Sequence, residues 1–459
     1  MKSDKSKRTK SSFPPSLSRA IAKGEEESLL SSPSLHESLV YNVAVIGGGS
    51  AGMIAAGRAG EIGARVVLVE KNKKLGRKLL LTGKGRCNIT NKAESPREFI
   101  NKFGKNGDFL FSSFSRFGIE ETIEFFEKKG LKTKIERGKR VFPKSDKSQD
   151  VLNVLISYLK RNGVKIMTNY EVKEIIKDPS FAEAAADKKN RIAKIILNNG
   201  EEIVAKNYIF ATGGKSYPGT GSTGDGYKWA EKLGHKINKL RPALVPLKIK
   251  ENWPKSVRGL ALKNIKLTVF GESHKQDSRF GELLFTHFGI SGPIVLDLSH
   301  AIGELLERGE VKLVLDLKPA LDFQTLDKRL LSDFSKYSKK LFKNSLSDLL
   351  PQKLIPIVVD LSGISPSKKV NEITREERHK LVKLLKGLEM TVSSLLGFET
   401  AIVTSGGVSL REIDSKTMKS KLIENLYFSG EVIDLHGPTG GYNLQLCWTT
   451  GYVAGESVF

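Results

Sequence analysis

The chain has 459 residues, enough for two or three domains with substantial cores. Apolar residues make up 39% and charged residues 27%, as in a globular chain, and no run of about 18 apolar residues is present to span a membrane. The net charge of +24 is high for an enzyme of small molecules, so either solvated lysine-rich faces or a polyanionic partner must account for it.

Residues 1–40 are rich in Ser, Lys and Glu, with Pro14, Pro15 and Pro33, and predict a disordered leader. They carry seven Lys/Arg against five Asp/Glu, so +22 of the charge belongs to the rest of the chain. The leader has no apolar core for a secretory signal. Its basic start leaves organellar import as an alternative to a cytoplasmic location.

From Tyr41 the pattern sharpens. Val43 to Ile46 form an apolar run without alternation, as in a strand buried on both faces. Gly47, Gly49 and Gly52 then spell G-x-G-x-x-G, enclosing Ser50 and Ala51. The first glycine allows a tight turn, the second lets backbone approach a pyrophosphate, and the third lets the next helix pack closely. Met53, Ala56, Ala59 and Ile62 recur at helical spacing before Gly63, and Val66 to Val69 predict a second buried strand ending at Glu70. Glu70 stands 23 residues past Gly47, where a carboxylate binds an adenosine ribose. Strand, glycines, helix, strand and acid together predict a dinucleotide site.

Lys71 to Lys105 hold eleven basic and two acidic residues, and Lys128 to Ser148 nine and two. These stretches therefore supply +9 and +7. Within the first, Gly76, Gly83 and Gly85 predict loops, in which Arg77, Lys78, Lys84 and Arg86 place cations beside the pyrophosphate and Thr82 and Asn88 offer hydrogen bonds. Cys87 lies in the same loop, either as packing or as a redox thiol. The other cysteine, Cys447, is 360 positions away, which excludes a disulfide framework and suits a reducing compartment.

Further along, Phe109 to Lys129 predict a helix, Lys139 to Lys144 a short strand and turn, and Asp150 to Asn162 an amphipathic helix. Strands follow over Val164 to Ile176, then a polar loop over Pro179 to Asn190 and a hairpin over Arg191 to Ala205 turning at Gly200. Tyr208 to Ala211 predict a strand that leaves through Thr212, Gly213 and Gly214. A second G-x-G-x-x-G at Gly219, Gly221 and Gly224 precedes a helix, but it lacks a preceding strand and is not read as a second nucleotide site. Beyond Arg241 the texture becomes antiparallel β, with Ile265 to Phe270 alternating, a loop-rich stretch at Gly281 to Pro293, and helices over Leu326 to Leu350 and Thr374 to Leu388. Leu426 to Phe428 predict a last strand before Gly430 and Glu431. Gly440, Gly441, Tyr442 and Asn443 open a final helix in which Gly451, Ala454 and Gly455 permit tight packing.

VAVIGGGSAGMIAA, GRKLLLTGKGRCNITN, RVFPKSDKSQDV, ATGGKSYPGTGSTGDGY, LLFTHFGISGP, TSGGVSL and NLYFSGEVIDLHGPTGGYNLQLCW occur in that order from residue 41 onward. On these stretches the chain resembles the BaiN/YhiN-like, or aminoacetone-oxidase-like, family of FAD-dependent oxidoreductases. The resemblance implies an α/β protein: a Rossmann-type FAD-binding domain with an inserted β-barrel-like and helical region. It implies residues 41–241 and 401–459 as the two parts of that domain and 242–400 as the insertion. Non-covalent FAD would lie on Gly47, Gly49, Ser50, Ala51, Gly52, Glu70 and Lys71, with its inner phosphate and ribityl region near Arg77, Lys78, Thr82, Gly83, Arg86, Cys87 and Asn88. Val172, Ala211, Thr212, Gly213, Gly430, Glu431, Gly440, Gly441, Tyr442 and Asn443 complete the implied cofactor set. Glu431 stands where many flavoproteins carry Asp.

The family's proposed activities are reduction of ring or enone double bonds, amine oxidation, and reduction of a uracil in ribosomal RNA. NADH or NADPH would dock transiently, since no second dinucleotide fold is evident. His287 and His436 are the proton-transfer candidates, each with a purely structural alternative. No metal-ligand cluster stands out. The substrate is a small molecule or RNA, and the opposing class is an RNA-binding protein whose FAD is structural. The sequence sets no oligomeric state.

Overall fold

The computed structural model describes residues 40–178, 190–272 and 274–459. The predicted leader, apart from Val40, and the polar loop from Pro179 lie outside these residues. Five parallel strands form the central sheet, in the order Leu426–Phe428, Ala205–Phe210, Tyr41–Ile46, Val66–Glu70 and Lys165–Thr168. Alternate side chains enter two cores. Val43, Val45, Leu68 and Ile209 face one, which includes the helices Ser50–Glu61, Ser148–Arg161 and Tyr442–Glu456. Ala44, Ile46, Val69, Phe210 and Phe428 face the other. Burial on both sides is why these strands read as unbroken apolar runs.

The helices Ser50–Glu61 and Tyr442–Glu456 pack backbone to backbone. A Cβ at Gly451 would lie 2.5 Å from the Ala51 carbonyl oxygen, and one at Gly455 would overlap that of Ala55.

A second body of structure is a closed six-stranded antiparallel barrel built from Leu247–Ile249, Gly289–Ser291, His274–Phe285, Ala261–Gly271, Val311–Asp316 and Leu388–Leu395. Its core is separate from the two sheet cores and includes the helices Phe323–Lys336, Ile355–Ser362 and Arg375–Lys386. The chain enters and leaves through a two-stranded antiparallel ribbon, Ile237–Ala243 with Val403–Val408.

Three expectations change. Gly281 to Pro293 is mostly strand, with Leu284 paired to Ser291 and Phe285 to Ile290. Gly289 marks a close strand approach rather than a loop, because a Cβ there would overlap the Leu247 carbonyl. Phe109 to Lys129 is two α-helices, Phe111–Arg116 and Ile119–Lys128, preceded by a 3-10 turn. The chain is extended at Phe117 and Gly118, where the Glu121 carboxylate accepts the Gly118 N–H at 3.0 Å and caps the second helix. The helix from Leu326 stops at Lys336. The apolar residues beyond it, Phe342, Leu346 and Leu350, are buried from turns instead.

Candidate active site

Gly47, Gly49 and Gly52 serve different needs. Gly47 has φ +108°, and a Cβ there would overlap the Ala211 carbonyl. A Cβ on Gly52 would overlap the carbonyl of Gly47, whereas one on Gly49, at φ −83°, would meet no protein atom within 4 Å. The protein itself thus demands the outer two glycines. The middle one keeps clear the approach to the N-terminus of the helix Ser50–Glu61. The first amides of that helix have no intrahelical acceptor, and its dipole favours an anion.

Glu70 is buried at the end of its strand. Its Oε2 accepts the Gly48 N–H at 2.7 Å, and its Oε1 accepts the Asn72 backbone N–H at 2.8 Å and side-chain amide at 2.5 Å. Three of its roughly four acceptor positions are therefore taken by protein. Tyr170 donates its N–H to the Glu70 carbonyl, which brings the start of the strand Val172–Lys177, with Val172 buried, close to the acid.

The second glycine-rich segment has a role here that its motif did not disclose. Lys71 donates to Thr223 Oγ1 at 2.5 Å and to Asp225 at 2.6 Å, and Asn72 Nδ2 donates to the Thr220 carbonyl at 3.1 Å. A Cβ on Gly221 would overlap the Asn72 amide. The segment is a strap across the strand end that carries Glu70. Arg77 donates to Asn72 Oδ1 at 2.7 Å.

Glu431 joins three segments. Its Oε2 pairs with Lys78 at 2.8 Å, while its Oε1 accepts the Ser216 hydroxyl and the Thr404 N–H, both at 2.7 Å. Burial pushes this carboxyl up, but the Lys78 charge and the donated hydrogen bonds outweigh burial and hold it below the ordinary glutamate value. Its neighbour Gly430 lies against the fingerprint helix, where a Cβ would come 2.7 Å from that of Ala51. Ala211 donates to the Ile46 carbonyl at 2.9 Å, and Thr212 and Gly213 touch the strap at Gly226 and Ser222. Residues 47–52, 70–72, 211–214 and 430–431 therefore converge.

The loop Thr82–Asn88 is tightly wound, with Gly83, Lys84, Gly85 and Cys87 all at positive φ. Thr82 Oγ1 donates to the Leu79 carbonyl at 2.7 Å. Arg86 pairs with Asp146 and Glu136 and lies 4.1 Å over the Phe142 ring. Cys87 is fully buried, and burial pushes its thiol up to about 12, which keeps it protonated and unreactive.

In the C-terminal loop, Gly440 and Gly441 have φ +117° and +107°. The Tyr442 ring packs on Phe99 at 4.6 Å. Asn443 closes its own loop, accepting the Gly437 N–H at 2.8 Å and donating to the carbonyls of Gly437 and Pro438. Both side chains are thus engaged by protein, and what the loop brings is backbone at a helix N-terminus.

His436 faces His300 at 4.6 Å between ring centroids. His300 lies on the helix Pro293–Leu306, from which Asp297 accepts the Thr439 N–H at 2.8 Å. Burial first, then the neighbouring His300, brings His436 down to about 4, and burial lowers His300 as well. Both rings are neutral at neutral pH. His287 is instead exposed at a hairpin, its ring against Phe288. His300 and Asp297 escaped the sequence reading. Gly292-Pro293 before the apolar run IVLDL, Ile294 to Leu298, is the available signal of a helix start.

Asn88 Oδ1 and Ser429 Oγ are among five buried side-chain atoms, with Arg58 Nε, Thr286 Oγ1 and His300 Nδ1, that have no hydrogen-bond partner among the described residues. With the clear approach at Gly49 and the converging segments, the Asn88 and Ser429 oxygens fit an FAD better than they fit a self-contained structure. Among the described residues, no group of three or more His, Cys, Asp or Glu could hold a metal ion, and no helix is long and apolar enough to cross a membrane.

The HI0933-like protein Rossmann domain family matches residues 41–457. The chain belongs to this family. A member from Clostridium scindens, a 3-dehydro-bile acid delta(4,6)-reductase, is 32% identical over 418 residues, covering 90% of this chain and 98% of its own. A ribosomal RNA dihydrouridine synthase of Haemophilus influenzae is 31% identical over 414 residues, covering 90% and 97%. The fold is shared with the 3-ketosteroid delta1-dehydrogenase of Sterolibacterium denitrificans, at a TM-score of 0.50 and 13% identity, covering 91% of this chain and 99% of that one. The HI0933-like chain described here is an FAD-dependent oxidoreductase, with a Rossmann-type nucleotide-binding sheet and an antiparallel barrel.

Proposed function

We propose that the protein uses NADH or NADPH to saturate a carbon–carbon double bond conjugated to a carbonyl, and that its substrate is a uracil base in RNA. The two named relatives act on dissimilar molecules, but both reactions reduce such a bond. FAD, held non-covalently along Gly47–Gly52, Glu70, Ala211–Gly213 and Gly430, supplies the hydride-transfer chemistry. Gly49 and the helix behind it receive the pyrophosphate, Glu70 the ribose, and Asn88 a polar group of the cofactor. Residues 242–400 form the substrate-side cap. We place the activity in the cytoplasm, in keeping with two cysteines and no disulfide.

The observation that carries the RNA reading is uncompensated charge. In the +7 stretch, Lys132, Arg137, Arg140, Lys144 and Lys147 are exposed and have no carboxylate partner among the described residues. Such a surface is complementary to a phosphodiester backbone. The test is mass spectrometry of ribosomal and transfer RNA from a deletion strain. One specific uridine should be two hydrogens lighter than in the wild type. If no RNA mass changes, the RNA reading fails. The likeness to the bile acid reductase then favours a small enone, to be screened by stopped-flow oxidation of the reduced protein.

A further inference from the structure

Two shallow depressions adjoin on the solvent side of the helix Ser148–Arg161. One, of about 330 Å³, runs between Glu61, Lys129, Tyr158 and Arg161. The other, of about 410 Å³, runs between Lys129, Lys132, Lys144 and Asp150. They share Lys129, Asn153 and Val154 and so form one groove.

The groove is unevenly charged. Lys129, Lys132, Lys144 and Arg161 line it, and none of them has a carboxylate within ion-pair distance among the described residues. Of its two acids, Glu61 is already bound by Arg58 and by the Tyr158 hydroxyl, both at 2.8 Å. Asp150 is the only other. Lys129 is held in place by cation–π contacts, its ammonium 4.4 Å from the Phe125 ring and 4.6 Å from that of Tyr158. The floor is rigid, since a Cβ on Gly57 of the fingerprint helix would overlap the Tyr158 ring.

The position is as informative as the charge. Glu61 lies eleven residues beyond Ser50 on the same helix, so the groove sits about 16 Å from the helix end that faces the pyrophosphate, at the usual rise per residue. Whatever binds here is neither the cofactor nor the reacting base. A row of ammonium and guanidinium groups with little acidic counter-charge matches the backbone of an extended polyanion.

We propose that this groove is a docking site for the phosphodiester backbone of the RNA substrate, remote from the redox centre. The proposal rests on the RNA reading above. It replaces the fingerprint-side lysines as the main phosphate contacts, because Lys71, Lys78, Arg86 and Lys92 are each paired with an acid.

The test is a K132E/K144E/R161E variant of the FAD-loaded protein, titrated with total ribosomal RNA across a salt series. Flavin content and the rate of flavin reduction by NAD(P)H should be unchanged, which also reports correct folding. RNA affinity should fall at least tenfold, and the slope of log affinity against log salt should lose about two to three units, for some three phosphates released. The milder Lys144→Gln should lose a smaller part of both. Unchanged affinity in the triple variant, with a wild type that binds RNA, overturns the groove and leaves the RNA reading standing. A wild type that binds no RNA overturns both. Loss of binding to phosphatidylglycerol vesicles with RNA affinity untouched would reassign the groove to a membrane surface and overturn the proposal as well.

Discussion

The parallel sheet and the barrel reach equal burial by different means. Around the sheet, the decisive contacts are backbone against backbone: Gly52 on Gly47, Gly47 on Ala211, Gly451 on Ala51, Gly455 on Ala55. In the barrel, Gly289 likewise meets the Leu247 backbone, but interior packing rests mainly on side-chain volume, with Leu267, Val269, Leu313, Leu315 and Met390 wholly buried. Backbone approach tolerates no added atom, whereas a side-chain core can repack around a lost one. The region expected to hold FAD is thus the one whose geometry is least adjustable.

The largest expected effect is on the sheet. Gly52→Val should abolish folding, since its Cβ would overlap a carbonyl that cannot move, and soluble yield and circular dichroism report this. Gly49→Val should do the opposite: its Cβ meets no protein atom, so FAD should be lost while the melting temperature stays within about 2 °C of that of the FAD-free wild type. A Gly49→Val protein that keeps wild-type flavin absorbance near about 450 nm would break the contrast at its centre. In the barrel, Leu267→Ala should cost about 2–5 kcal/mol of stability, read by urea unfolding, with flavin content retained. Release of FAD by this variant under native conditions would show that the two cores are not independent. Glu431→Gln leaves Lys78 without its charge partner and should cost about 1–3 kcal/mol. Because the link ties Lys78, Ser216 and Thr404 together, its loss should also speed flavin release in a dilution assay.

The smallest effect concerns the contact between the two regions. His436 is lowered from 6.5 to about 4, and His300 is lowered as well. The unfolded chain then binds more protons than the folded one, so stability should decline as pH falls from about 6.5 toward 4. His436→Gln should flatten that decline in melting curves taken across the window. An equally steep decline in the variant would assign the effect to other groups.

Much of this was legible in the residues. The strand at Val43, the three glycines, the acid at Glu70 and the helix faces of Ser148–Arg161 all depend on neighbours in sequence. Local spacing encodes such features well. Other features depend on partners far along the chain, and no spacing reveals them. Spacing does not reveal that Arg86 pairs with Asp146 and Glu136, or that Asn443 closes its own loop. Glycine-bearing stretches misled in both directions: Gly281 to Pro293 suggested a loop where strands approach closely, and Gly118, inside an apparent helix, is where that helix breaks. The use of the second glycine motif as a strap could not be read without Lys71 and Asn72 beside it.

The pairing of Ser50–Glu61 with Tyr442–Glu456 also bears on biosynthesis. The barrel strands are contiguous between Leu247 and Leu395 and can close while the ribosome is still translating. The sheet cannot. Its edge strand Leu426–Phe428 and the helix that seals the fingerprint begin about 385 and 400 residues after the first strand begins. Until they emerge, the apolar flank of Ser50–Glu61 has no cover, and a nascent chain stalled after the barrel would expose it to chaperones and proteases. A ribosome-bound chain arrested near residue 420 should therefore resist proteolysis across the barrel, remain open to it across the fingerprint, and take up no flavin.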